Sequence, residues 1–217
     1  PYGKDRENKR LPFEIIEIGA VKLDENRKMT DQFHEIVKPS VYHRLHYRTK
    51  EILHIDKQTL ENGVPFSKAI RRFLKWCGED VMFCTWGPSD LVELQRNMKY
   101  YRLTYLLEGP LRYYDVQKLY GLFTAEGARL SLDAAVEQEG LLEKRPFHRA
   151  LDDAYYTGRV LACLVEKTGA EALLPFQSVD YYRLPGNKKE EIQVTFPGYS
   201  KYVSRVFESR EDAMKDR

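Results

Sequence analysis

Pro146-Phe147-His148-Arg149-Ala150-Leu151-Asp152-Asp153-Ala154 places an imidazole and two carboxylates within six residues, where an apolar helical pattern begins. That pattern runs on through Tyr156, Val160, Leu161 and Leu164, so the ionisable groups stand at the start of a helix. On a helix His148 and Asp152 are four apart and share a face, whereas Asp153 lies about 140° round from His148 at 3.6 residues per turn. One chelate cannot use all three directly. A metal held by Asp153, with His148 just ahead of the helix on a mobile loop and reaching the same water, fits the spacing. Asp152 is then the structural member, near the positive end of the helix. Histidine followed by acidic residues is also common on solvated helices, and the remaining elements must separate the two readings.

Composition sets the outer limits. A chain of 217 residues, 42% hydrophobic and 31% charged, is long enough for one sizeable core and a small appendage. Its net charge of +2 announces no general affinity for nucleic acid, so an anionic ligand must be met by local patches or by metal. Cys77, Cys84 and Cys163 are odd in number and widely spaced, which argues against a disulfide framework and a zinc cluster and makes a reducing cytoplasm the expected location. No apolar run approaches a membrane span and no charged-then-apolar leader opens the chain, so no membrane partner is expected.

Ahead of the opening motif, residues 1–12 are polar and read as a loop. Residues 13–23, FEIIEIGAVKL, are mostly apolar and β-branched and predict a strand buried on at least one face. Asp24-Glu25-Asn26 makes a turn, and residues 29–37 return antiparallel until Pro39. His43, His46 and His54 then stand among basic and aromatic residues at no common zinc spacing. They are exposed loop histidines, or they contact phosphate and base together with the apolar wedge Leu53-His54-Ile55.

Residues 66–77 carry Phe66, Ala69, Ile70, Phe73, Leu74 and Cys77 on one helical face. Val81-Met82-Phe83-Cys84-Thr85-Trp86 is a short buried strand that ends at Gly87-Pro88-Ser89-Asp90, with Leu91, Leu94 and Met98 in the helix behind. An acid at such a junction lies where open α/β sheets bind ligands, which makes Asp90 a second candidate metal ligand. It is also a candidate helix cap, a place Ser89 could fill instead. Asp115 stands at a similar strand-to-helix junction, and Ser131 can cap a helix that Gly140 closes. Strands alternating with helices give an α/β domain.

The ordered set Glu14-Ile15-Ile16-Glu17-Ile18-Gly19-Ala20-Val21, Trp86-Gly87-Pro88-Ser89-Asp90, Tyr114-Asp115-Val116-Gln117-Lys118-Leu119, Ser131-Leu132 and His148-Arg149-Ala150-Leu151-Asp152-Asp153-Ala154 resembles the DnaQ-like (DEDDh) 3'-5' exonucleases. The resemblance covers about residues 13–165 and is nearest to the Eri-type and KapD-like branch. It implies an RNase H-like mixed β-sheet flanked by helices over residues 1–174, followed by an appendage of unread role over residues 175–217. It also implies a catalytic site of four carboxylates and two Mg²⁺ or Mn²⁺ ions, with Asp90 and Asp153 as two of the ligands and His148 as general base. Leu53, His54, Ile55 and Trp86 would touch the nucleic acid, a single-stranded RNA or DNA 3' end.

The other two carboxylates should form an Asp-x-Glu pair on a strand ahead of Glu14. Asp5-Arg6-Glu7 has the letters but lies in a hydrophilic run unsuited to a central strand. The expectation is therefore that this strand lies upstream of Pro1; the alternative is a chain lacking half the metal site. The second functional reading is a non-catalytic regulator that binds nucleic acid or a protein partner, in line with the sporulation control linked to KapD-like proteins.

Overall fold

A computed structural model describes residues 8–42, 55–79, 81–107 and 111–180. Asp5, Glu7, Leu53 and His54, and the appendage beyond residue 180, lie outside the described residues.

Strand β1, Glu17–Leu23, pairs antiparallel with β2, Met29–Ile36, in the register Glu17↔Ile36 to Lys22↔Asp31, with a bulge before Leu23. The turn is closed by Asp24, whose carboxylate accepts from the Lys28 N–H at 2.8 Å while Arg27 takes φ of 61°. The strand expected from residue 13 begins only at Glu17, because the preceding backbone has other partners. Fully buried Asn97 accepts from the Ile15 N–H at 3.0 Å and donates to the Phe13 carbonyl at 2.9 Å. Next to it, the Glu14 carboxylate gathers the N–H groups of Ser40, Val41 and Tyr42 and the Tyr101 hydroxyl.

Helix α1, Lys57–Glu61, is capped by Asp56 through the Thr59 N–H at 2.6 Å. Helix α2 spans Phe66–Cys77, as its apolar period predicts, and buries Phe66, Ala69, Ile70, Phe73 and Cys77. It packs on β2 through Phe73 and Phe33, whose ring centroids are 5.4 Å apart. The second sheet has the order β3-β4-β5, from Phe83–Thr85, Leu111–Asp115 and Ser178–Asp180. β3 runs parallel to β4, and β5 antiparallel to it, so this sheet reaches Asp180.

Helices α3 (Ser89–Tyr100), α4 (Val116–Thr124), α5 (Leu132–Gln138) and α6 (Ala150–Thr168) complete the mixed α/β domain. Asp115 caps α4 through the Lys118 N–H at 3.0 Å. Ser131 holds the cap position of α5, yet its side chain makes no cap bond and pairs with Asp133 instead. Helix α6 crosses β1 so closely that a Cβ on Gly19 would stand 2.2 Å from the Ala150 backbone carbon. Only glycine fits there, and the contact fixes where α6 starts relative to the strand.

The five strands do not join into the continuous mixed sheet that the resemblance implies. The free edge of β1 and the free edge of β3 face a shared cavity of about 1130 Å³. Helix α6 covers one face of this slot with Gly158 and Leu161, and α2 and α3 cover the other with Phe73, Leu91 and Leu94.

Candidate active site

Two of the candidate carboxylates come from first helical turns that border the slot. Asp90 stands in the first turn of α3 just beyond β3, and Asp153 in the first turn of α6. Neither the Asp90 nor the Ser89 side chain caps α3, whose cap position is taken by Pro88, so Asp90 is not consumed by that duty. Much of the Asp90 surface is accessible, but the residue borders the slot, whose walls crowd it. That crowding pushes its carboxyl above the usual range, and the Asp153 charge pushes it further. Burial raises Asp153 too, against the opposing pull of the His148 N–H and ring.

His148 lies on the same lining, two residues ahead of α6, with its side chain exposed. Its φ of 69° is left-handed, a conformation that costs a histidine energy and persists where surroundings impose it. Two contacts impose it. The His148 N–H donates to Asp153 Oδ1 at 3.0 Å, and the next residue, Arg149, is held by Glu17. Asp152 faces elsewhere and pairs with Arg145 at 2.9 Å, the structural part that its spacing predicts.

Sequence reasoning passed over Glu17 and Arg149. The Glu17 side chain is 5% exposed and accepts from Arg149 Nη2 at 2.9 Å, His34 Nε2 at 2.7 Å and the Ala150 N–H at 3.4 Å. Burial alone would push its carboxyl up, but Arg149, His34 and the Ala150 N–H outweigh this and hold it below the usual range. A lone acid in an apolar run is the signal that could have revealed it, because a buried charge must find a partner.

Other candidates lie apart. Ile55 is buried, at 5% exposure, as a core residue would be. Trp86 is half-buried; its indole N–H donates to the Leu130 carbonyl at 3.3 Å and its ring lies 6.0 Å from that of Tyr120. Among the described residues, no three His, Cys, Asp or Glu side chains gather closely enough to hold a metal.

The family model RNase_T, described as exonuclease, matches residues 8–161. The chain belongs to this exonuclease family. It is similar to the probable 3'-5' exonuclease KapD of Bacillus subtilis strain 168, with 30% identity over 168 residues, 77% of this chain and 80% of KapD. In fold it is similar to the nuclease domain of 3'hExo, a DEDDh family member solved with rAMP, at a TM-score of 0.62 and 22% identity over 71% of this chain and 82% of that one. S. pombe Pop2p, solved with Mg²⁺ and Mn²⁺, gives a TM-score of 0.56 and 17% identity over 71% and 69% of the two chains. The RNase H-like fold is shared with these nucleases.

The donor chemistry of this exonuclease-family chain fits a hard divalent cation. Asp90 and Asp153 offer oxygen ligands, their charges oppose one another, and among the described residues no Lys or Arg pairs with either. Among the described residues, no helix is long and apolar enough to cross a membrane.

Proposed function

We propose that the chain is a metal-dependent 3'-5' exonuclease acting on single-stranded nucleic acid, RNA before DNA. The observation that carries this reading is the like-charged pair Asp90 and Asp153 at one cavity, with His148 on the same lining. The rAMP bound to the 3'hExo nuclease domain supports RNA as the substrate class.

In this reading Asp90 and Asp153 hold the metal together with an Asp-x-Glu pair. Bound ions supply Lewis acidity that activates water and stabilises the leaving oxygen. His148 accepts the proton of that water, and its exposed position lets a substrate approach on one side. The bond from the His148 N–H to Asp153 couples the base to the metal ligand, so that the two keep their relative places. Glu17 and Arg149 do not touch the reacting atoms; they position the turn that carries His148.

The test follows a 5'-labelled single-stranded RNA, and the matching DNA, in Mg²⁺, in Mn²⁺ and in chelator. Stepwise shortening from the 3' end that chelator abolishes supports the proposal; cutting within the strand, or cutting that survives chelation, contradicts it. The absence of a three-donor cluster among the described residues favours a second reading, a non-catalytic regulator. Tight binding of the same RNA with no hydrolysis, after an Asp-x-Glu strand is supplied, would select it.

A further inference from the structure

We propose that the slot between β1 and β3 is a strand-acceptor site that takes one extended peptide segment, apolar on both faces and acidic where it passes Asp90 and Asp153. The pairing part of this inference stands on backbone geometry alone. Its acidic part rests on the exonuclease reading.

The edge of β1 is prepared for pairing. The Val37 N–H donates to the Ile16 carbonyl, and the Val64 N–H donates to the Ile36 carbonyl, so Ile16 bonds towards β2 while Ile36 bonds away from β1. Antiparallel pairs alternate, and in this register Gly19 and Val21 must direct their peptide groups away from β2, into the slot. β3 bonds to β4 on one side only, and its other edge borders the same slot. β1 leaves the site at Glu17, whereas β3 arrives at it through Thr85. The two edges therefore run in opposite directions, and one strand between them pairs parallel with one and antiparallel with the other.

The character of the occupant follows from the walls. Helices cover both faces, with Gly158 and Leu161 on one side and Phe73, Leu91 and Leu94 on the other. A strand covered on both faces reads as a continuous apolar run, not an alternating one. Thr85 Oγ1 is buried on this lining with no hydrogen-bond partner, a state that a neighbouring strand's backbone would relieve. At the site end, Asp90 and Asp153 lack a cation among the described residues, and further acidic donors there would complete a metal-binding set. A second copy of this chain is a poorer occupant, because its own helices must enter with any strand it brings.

The experiment adds synthetic peptides to the 217-residue chain. Each has an apolar run of about six residues, a usual strand length, and solubilising lysines at the end away from the site. One carries Asp-x-Glu at the site end, a second Asn-x-Gln, and a third has prolines in the run, which remove ladder donors. The first two are expected to raise the melting temperature in proportion to their concentration and to slow amide exchange at Gly19 and Val21, while the proline peptide does neither. Thr85→Val should weaken peptide binding about five- to tenfold, the worth of one hydrogen bond, without lowering the stability of the free chain. Failure of both pairing peptides to bind overturns the acceptor site. So does sedimentation of the free chain as a dimer in which Gly19 and Val21 are already protected. Binding of the Asp-x-Glu peptide without RNA hydrolysis in Mg²⁺ leaves the acceptor site standing and overturns the exonuclease reading.

Discussion

Glu17 and Arg149, 132 positions apart in the chain, are joined by a 2.9 Å ion pair that fastens the first residue of β1 to the residue before α6. The His148 turn thereby inherits its position from a strand. Replacing Glu17 by Gln keeps the shape but leaves Arg149 without its anion. Because Arg149 is 30% exposed and water relieves part of the loss, the expected cost is about 1–3 kcal/mol. Urea unfolding at neutral pH measures it, and an unchanged midpoint would show that the pair contributes nothing.

Gly19→Ala tests the close crossing of β1 and α6. The new Cβ would overlap the backbone of Ala150 and Leu151, which cannot rotate away as a side chain can. The helix start must shift, and a loss of about 3 kcal/mol, the upper end for overpacking, is expected in denaturant melts. Gly140→Ala, at a site with nothing near the added carbon, bears only the cost of its left-handed φ of 64° and should lose less.

Acid unfolding should report on Glu14. Burial alone would raise its carboxyl, but the Tyr101 hydroxyl and the N–H groups of Ser40, Tyr42 and Val41 together hold it below its ordinary value of 4.5. A carboxyl lowered by folding stabilises the folded state fully above its unfolded value and loses that contribution as pH falls through the folded one. Stability should therefore decline below about pH 4.5. Glu14→Gln should be less stable at pH 7 and show a shallower decline in that window; equal slopes for the two proteins would remove Glu14 from the account.

Asp90→Asn separates stability from activity. Removing one of two opposed charges should raise the melting temperature of the metal-free protein while abolishing hydrolysis. Mg²⁺ should stabilise the parent chain and leave the variant unmoved. If the variant melts lower, and responds to Mg²⁺ as the parent does, Asp90 is no ligand.

The elements with strong periodicity were legible in the sequence. Helix α2 spans the residues its apolar face marks, and the hairpin of β1 and β2 follows its turn. The strand start at Glu17 was not legible, because it depends on Asn97, 82 positions from Ile15, taking the backbone bonds that would have extended it. The junction residues were ambiguous for a similar reason. Asp90 and Asp115 both follow a strand, yet Asp115 caps α4 and Asp90 caps nothing, a distinction set by which backbone N–H each carboxyl meets. Ile55 looked like half of an exposed wedge because an isolated Leu-x-Ile carries no period to tell a core position from a surface one.

The most direct measurement follows 5'-labelled single-stranded RNA with the chain, Mg²⁺ and the Asp-x-Glu strand peptide, beside His148→Ala under the same conditions. The account predicts a ladder shortening from the 3' end, and a variant slowed about 10²- to 10⁴-fold, as loss of a general base does, with RNA affinity nearly unchanged. Intact RNA with the peptide bound, or a variant as fast as the parent at saturating RNA, would contradict it.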